Sequence, residues 1–137
     1  MSDTVQYKNP PSLAKPMGLY SHVSRVRATE MIHIAGQVAV SETGELVGKN
    51  DIKAQVRAAF DNLGRVLSAE GLSFEQVVKF TTYMVHSQDI EGFITVRNEL
   101  FSRLYPRGQY PPNTLVVVDR LVGEHFLIEI EAIAAVP

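Results

Sequence analysis

Cysteine is absent from this chain of 137 residues. Its absence excludes disulfide bonds, thiolate metal ligands, iron–sulfur clusters and every mechanism that uses a cysteine nucleophile. Long apolar runs are also missing, since no stretch approaches the roughly 18 residues of a transmembrane helix. Residues 1–16 carry Pro10, Pro11 and Pro16 but lack the apolar segment of a secretory signal. The expected compartment is therefore the cytoplasm, with no membrane partner.

Basic charge is not in excess, because 13 lysines and arginines face 15 aspartates and glutamates, giving a net charge of −2. Nucleic acid is therefore disfavoured as a partner. The glycine-rich and nucleophile motifs of dinucleotide-binding, P-loop and α/β-hydrolase proteins are missing. The histidines (His22, His33, His86 and His125) show no metal-binding spacing and are expected to be exposed or satisfied in the core. The sequence predicts neither a metal nor a cofactor.

The overall composition, with 45% apolar and 20% charged residues, is ordinary for a globular protein. A length of 137 residues is typical of one domain. We therefore predict a single domain over residues 1–137. Within it, the proline-rich residues 1–16 are expected to form an extended arm, because proline blocks helix and pushes the preceding residue toward extended conformations.

Two segments have the apolar periodicity of amphipathic helices. A helix is predicted over residues 51–70, capped by Asn50 or Asp51 and ended by Gly71. The side chains on its apolar face are Ile52, Val56, Ala59, Phe60, Leu63 and Leu67. A second helix is predicted over residues 89–104, with Ser87 as its cap. Its stripe consists of Ile90, Phe93, Ile94, Arg97, Leu100, Phe101 and Leu104.

The remaining patterns indicate strands, and the polar, glycine-containing residues 41–48 indicate a turn or loop. Strands are predicted over residues 18–26, 31–40, 77–85, 114–118 and 126–136. The order β-β-α-β-α-β-β, ending in a hairpin, predicts an α+β fold with one mixed sheet and helices on one face. The last strand nevertheless carries apolar residues on both faces, so the uncovered face needs a partner. Self-association in a closed ring is the simplest one.

Two acidic residues interrupt this apolar last strand. Glu129 and Glu131 alternate with aliphatic residues, so they project from one face, roughly 7 Å apart. Burial of a carboxylate favours its protonated form, which suits a general acid or base. Two other interpretations stay open: the face is solvated, or one glutamate pairs with an arginine across a subunit boundary.

Several segments together carry a family resemblance. They are Gly18-Leu-Tyr20, Ile32-His-Ile-Ala-Gly36-Gln37, residues 55–62, residues 77–85, residues 110–121 and Ile128-Glu-Ile-Glu-Ala-Ile-Ala134. In these segments the chain resembles the RidA/YjgF family, also called L-PSP-like, collinearly over about residues 5–136. The Gly-Gln pair and the last segment are the most specific parts.

The resemblance implies a chorismate-mutase-like α+β fold assembled as a homotrimer, with small-molecule clefts between subunits. It also implies hydrolysis of 2-imino or enamino acids to 2-keto acids and ammonia, without metal or cofactor. Such chemistry requires little of the protein, because an iminium carbon is already electrophilic. The cleft has to bind the substrate, position a water molecule and move protons.

The family's functional positions can be carried over residue by residue. Glu129 matches the glutamate that positions the attacking water and is the predicted catalytic residue. The predicted substrate-binding residues are Tyr20, Ala35, Gly36, Gln37, Asn113, Thr114, Leu115 and Arg107. Tyr20 matches an aromatic residue of the cleft, and Gly36 and Gln37 match the backbone turn beside the substrate.

Three of these positions depart from the family pattern. Ala35 replaces a serine, Leu115 replaces a cysteine, and Asn113 replaces the arginine that clamps the substrate carboxylate. Each charge-assisted hydrogen bond of such a clamp contributes roughly 1.5–3 kcal/mol. Losing about 3 kcal/mol would weaken carboxylate binding by more than a hundredfold. Arg107 or Arg120 could replace the clamp.

Three functions follow from this pattern. The first is a deaminase-type hydrolase that acts on an imine or enamine and has an altered substrate. The second is a trimeric protein that binds a metabolite without catalysis. The third comes from the family labels of endoribonuclease and translation inhibitor. It is disfavoured because the chain is slightly acidic and shows no aromatic and basic RNA-binding pattern.

Overall fold

The computed structural model describes residues 4–137, so residues 1–3 of the predicted arm lie outside the described residues. The strands are β1 (Val5–Lys8), β2 (Val23–Val26), β3 (Glu30–Gln37), β4 (Val77–Met84), β5 (Asn113–Val117) and β6 (Ile128–Val136). The helices are α1 (Ile52–Ala69) and α2 (Ile90–Leu104). Strands β3, β6, β4 and β5 form a sheet in that order, and β1 pairs with β2 separately.

Both helices lie where the periodicity predicts them. The Asp51 carboxylate caps α1 by accepting a 3.1 Å hydrogen bond from the Ala54 amide. Gly71 follows the helix with φ at 73°, a left-handed conformation that glycine adopts without strain. The prediction for Ser87 is wrong, because a 3₁₀ turn over Ser87–Asp89 precedes α2 and the helix has no side-chain cap. Neither described helix is long and apolar enough to span a bilayer.

The prediction of one sheet is wrong, because β2 pairs with β1 apart from the other strands. The four-stranded sheet is mixed, as predicted, but its last two strands do not form the predicted hairpin. Strand β5 pairs in parallel with β4, and α2 supplies the crossover between them. Strand β6 lies between β3 and β4, antiparallel to both. Strand β6 is thus paired along both edges, whereas helices cover only one of its two faces.

Both helices pack on the same face of the sheet. Phe60 of α1, Phe80 of β4 and Phe101 of α2 form an aromatic cluster with ring centres about 6 Å apart, 5.9 Å for Phe60–Phe80 and 6.0 Å for Phe80–Phe101. No described helix covers the opposite face, which we call the bare face. It presents alternate residues of the strands: Met31, His33, Lys79, Thr81, Tyr83, Thr114, Val116, Glu129, Glu131 and Ile133.

Two amide side chains of α1 hold the segments next to β3 and β6. Gln55 is completely buried, donates to the carbonyls of Gly48 and His125, and accepts from the Leu127 amide at 2.8 Å. Asn62 donates to the carbonyls of Val38 and Val40, just beyond β3. The helix therefore holds the end of β3 and the start of β6 by hydrogen bonds as well as by apolar packing.

Candidate functional site

Glu129 lies on the bare face, directly over Gly36 of the neighbouring strand. The register between β3 and β6 shifts between Ile34 and Gln37, which places Gly36 in a β-bulge. A Cβ atom added at Gly36 would lie 2.6 Å from the carboxyl carbon of Glu129, so the carboxylate keeps this position only beside glycine. The half-buried Glu129 carboxylate accepts no hydrogen bond from residues 4–137. It is therefore available to a water molecule or ligand.

Glu131, two residues further along β6, is already occupied. The Tyr83 hydroxyl donates a hydrogen bond to its Oε1. This hydrogen bond raises the pKa of Tyr83, with smaller contributions from desolvation and from the charges of Glu131 and Glu129. The structure thus distinguishes two glutamates that share one face: Glu131 is held by a tyrosine, and Glu129 has a free carboxylate.

Strand β5 divides the predicted substrate-binding residues between two faces. Thr114 lies on the bare face, where its Oγ1 accepts a 2.9 Å hydrogen bond from Lys79. Asn113 points to the helix side, and its Oδ1 accepts a 2.9 Å hydrogen bond from the buried Thr82 hydroxyl. Leu115 packs against the core on that side. Asn113 and Glu129 therefore project from opposite faces of one subunit.

Tyr20 belongs to the loop before β2. Its hydroxyl accepts from the Met17 amide at 3.3 Å, and its ring makes an edge contact with His22. Gly18, in the same loop, lies against Nη2 of Arg97, which is 3.1 Å from the position of a Cβ at Gly18. The loop therefore lies against the α2 side of the subunit.

The predicted site residues thus form two groups within a subunit. The first group lies on the bare face, on β3, β5 and β6: Ala35, Gly36, Thr114 and Glu129. Gln37 pairs with the buried Ile130, so it lies on the helix side and not beside Glu129. The second group lies on the helix side: Tyr20, Asn113 and Leu115.

The two arginines considered as replacements for the clamp lie elsewhere. Arg107 lines a cavity of about 70 Å³ with Tyr7, Glu75 and Tyr105. Neither Asn113 nor Glu129 lines this cavity. Arg120 donates through Nε and Nη2 to the carbonyls of Leu121 and Val122, which fixes its own loop.

Three further residues near these groups were not predicted as site residues. Lys79 and Tyr83 contact Thr114 and Glu131, and their signal was polar alternation along an otherwise apolar β4. Arg97 contacts the Tyr20 loop, and its signal was an arginine within an apolar helical stripe. Within residues 4–137, no three histidine, aspartate or glutamate side chains are arranged to hold a metal ion.

These features define a small α+β protein with a four-stranded mixed sheet, two helices on one face and a free carboxylate on the other. The Endoribonuclease L-PSP family model matches residues 11–136. The chain therefore belongs to this family, the RidA/YjgF family, and the predicted fold class is confirmed.

Similarity to individual relatives extends over nearly the whole chain. A RutC family protein of Pyrococcus horikoshii is 36% identical over 135 residues, covering 98% of each chain. The 2-iminobutanoate/2-iminopropanoate deaminase of Escherichia coli is 33% identical over 137 residues, again covering 98% of each. The crystal structure of the Rid family protein YyfB from Yersinia pestis is 29% identical, with a TM-score of 0.86, and the match covers 97% of this chain and 99% of that chain.

Proposed function

We propose that this protein hydrolyses a reactive imine or enamine to a carbonyl compound and ammonia, without a cofactor, in clefts between the subunits of a homotrimer. Glu129 is the proposed catalytic residue. The observation that carries the proposal is its free carboxylate, seated over Gly36 on a face that no described helix covers. The deaminase name of the Escherichia coli relative, 33% identical over 137 residues, supports the same reaction class.

The chemistry follows from a carboxylate that can hold water beside an electrophilic carbon. Glu129 accepts a proton from the water as its oxygen attacks the C=N carbon, giving a carbinolamine. The same proton is then delivered to the nitrogen. Glu129 next takes the proton of the carbinolamine hydroxyl as the oxygen forms the new C=O bond and passes it to the nitrogen, so that the C–N bond breaks and ammonia leaves. One water is consumed for each ammonia released, and no redox step is involved.

A shared cleft would bring the two groups of site residues together. Glu129 and Gly36 lie on the bare face, whereas Tyr20 and Asn113 lie on the helix side of the same subunit. In a closed ring, the first group of one subunit can face the second group of its neighbour. Val116, 40% exposed on the bare face, is the kind of apolar residue that such an assembly buries.

Asn113 sets the mode of substrate binding at its position. Its Oδ1 is engaged by Thr82, so the amide NH₂ group remains to donate to the substrate. An amide carries no charge, so this position recognises a neutral acceptor rather than clamping a carboxylate with two charged hydrogen bonds.

A coupled assay tests the proposal: a pyridoxal-phosphate dehydratase supplies 2-iminobutanoate, and loss of the imine is followed. Wild type should accelerate hydrolysis. Glu129→Gln, which keeps the shape of the side chain, should lower the rate by about a hundredfold or more. Glu131→Gln is the matched control and should keep most of the activity. Equal rates for wild type and Glu129→Gln would show that Glu129 is not the catalytic residue.

A second function is favoured by the interior contacts of the substituted positions. Asn113 is bonded to Thr82 and Leu115 packs into the core, so these side chains have structural roles. A protein that keeps the cleft but only binds a metabolite would use them in this way. Ligands that raise the melting temperature but are never turned over, even by Asn113→Arg, would establish the binding function and exclude the hydrolase.

A further inference from the structure

Arg97 is buried on the inner side of α2, with only 6% of its surface exposed. Its guanidinium carbon lies 5.4 Å from the ring centre of Phe93 and 5.9 Å from that of Phe101. These ring faces stabilise the cation. None of the ion pairs among residues 4–137 involves Arg97. A buried arginine without an acidic partner is unusual, because removing a charge from water is costly unless a counter-charge offsets it.

The end of the Arg97 side chain is available to a ligand. Nε donates to Oδ1 of Asn98 at 2.9 Å. Nη1 and Nη2 donate to no oxygen of the described chain, yet residues 4–137 contain no side-chain nitrogen that is both completely buried and unpaired. The terminal nitrogens therefore reach accessible surface, and their N–H groups are free to bind an anion.

This cation lies beside the loop that carries Tyr20, a member of the second group of site residues. On one side, Nη2 is 3.1 Å from the Cβ position of Gly18, two residues before Tyr20. On the other side, Phe101 stacks on Tyr110 at 5.8 Å and 14°, three residues before Asn113. Arg97 thus lies where the Tyr20 loop meets the segment that leads into β5.

The electrostatics of Arg97 also favour an anionic ligand. Burial lowers the pKa of Arg97, and the Tyr110 hydroxyl acts in the opposite direction. Arginine has such a high ordinary pKa that the side chain stays charged at neutral pH. A bound carboxylate would supply the counter-charge that the described chain lacks, through paired N–H···O bonds of the guanidinium fork.

We infer that Arg97 holds the carboxylate of a 2-imino or 2-keto acid in the cleft, as the charged group that Asn113 does not provide. The inference rests on the proposed function for the position of the cleft. In this arrangement α2 supplies the guanidinium that binds the substrate carboxylate. In the family pattern the corresponding arginine lies at the position of Asn113, at the start of β5. The substrate is then a carboxylate, and Asn113 binds a neutral part of the same molecule.

Binding, measured separately from turnover, tests the inference. Calorimetric titration of the whole protein with 2-ketobutyrate gives the affinity for a carboxylate, and 2-butanone serves as the uncharged probe. Arg97→Met keeps the length and apolar stem of the side chain and should weaken 2-ketobutyrate binding by about a hundredfold. Arg97→Lys keeps the charge but loses the fork and should lose about tenfold. Binding of 2-butanone should not change.

Two further variants separate a binding role from a packing role. Arg103→Met removes an exposed charge from the same helix and should leave affinity unchanged. Arg97→Asn with Asn113→Arg moves the guanidinium to the strand and should recover at least about tenfold over Arg97→Asn alone. If Arg97→Met fails to fold, the loss of affinity in Arg97→Lys decides the question, because Arg97→Lys keeps the charge and most of the packing.

The outcomes distinguish this inference from the proposed function. Wild-type affinity for 2-ketobutyrate in Arg97→Met, or no binding by wild type, would overturn the inference even if wild type hydrolyses imines. Arg97-dependent binding with no hydrolysis by wild type would support the inference and overturn the proposed function.

Discussion

The side chain of Glu129 occupies the position that a Cβ atom of residue 36 would take, so any residue other than glycine there would displace this carboxylate. The atoms that a Cβ at Gly36 would meet within 3 Å all belong to the Glu129 side chain. The β-bulge in β3 and the central strand β6 thus define the direction in which this carboxylate points.

Gly36→Ala should displace the Glu129 carboxylate and lower imine hydrolysis by about a hundredfold, because a displacement of about 1 Å misplaces the water. The coupled imine assay checks the rate, and circular dichroism checks the fold. In the Glu129→Gln background the same change should add little, since the two residues act as a unit. Additive losses in the double variant would contradict this coupling.

The bare face should control assembly. Val116→Glu places a charge where subunits are expected to meet, so sedimentation at micromolar concentration should show smaller species than wild type. Ile94→Glu is the matched control, because Ile94 is 39% exposed on α2 against 40% for Val116 on the sheet. Its sedimentation should match wild type. A folded wild-type monomer at the same concentration would contradict the proposal that the cleft is shared between subunits.

The buried amide of Gln55 should contribute strongly to stability. Gln55→Met keeps the side-chain length but removes hydrogen bonds to Gly48, His125 and Leu127. The free energy of unfolding in urea should fall by about 1–3 kcal/mol, because buried backbone groups lose their partners. The exposed Gln88, changed to methionine, should differ from wild type by less than about 0.5 kcal/mol. Similar urea midpoints of unfolding for the two variants would contradict this prediction and would show that water replaces the hydrogen bonds of the Gln55 amide.

Alkaline pH should weaken two contacts near the start of β4, one made by Tyr7 of β1 and one made by Tyr105 at the end of α2. Burial raises the pKa of Tyr7 and Tyr105, whose hydroxyls donate to the carbonyls of Val77 and Phe74. Unfolded tyrosine loses its proton near pH 10 and the folded residues keep theirs, so the folded state binds more protons. Their stabilisation is complete below about pH 10 and is lost progressively above it.

Urea unfolding between pH 8 and 11 checks this dependence. The free energy of unfolding of wild type should decline above about pH 10. The double variant Tyr7→Phe, Tyr105→Phe should be less stable at pH 8 but decline less steeply. Equal slopes for wild type and variant would show that these hydroxyls do not cause the decline.

The sequence predicts the local elements well, because their signals are local. The apolar stripe of α1 and its cap at Asp51 are read directly from side-chain spacing. The pairing of strands is a different matter. Strand β5 follows α2 and precedes β6, and nothing in its five residues shows that it pairs with β4 and leaves the central place to β6.

The candidate site was predicted through resemblance, and its geometry required the structure. Alternation placed Glu129 and Glu131 on one face, but the Tyr83 hydroxyl that engages only Glu131 comes from another strand. Arg97 was read as part of an apolar stripe. Its isolation from carboxylates depends on which loops pack over α2, and spacing along one helix contains no such information.

The division of the site residues between two faces implies complementation between damaged subunits. In a ring with shared clefts, a Glu129→Gln subunit still contributes an intact Tyr20 and Asn113, and an Arg97→Met subunit still contributes an intact Glu129. Two preparations that are each inactive would then regain partial activity when unfolded together and reassembled. Co-expression of the two variants in one cell would likewise give some working clefts, so lesions on opposite faces of this small protein would mask one another.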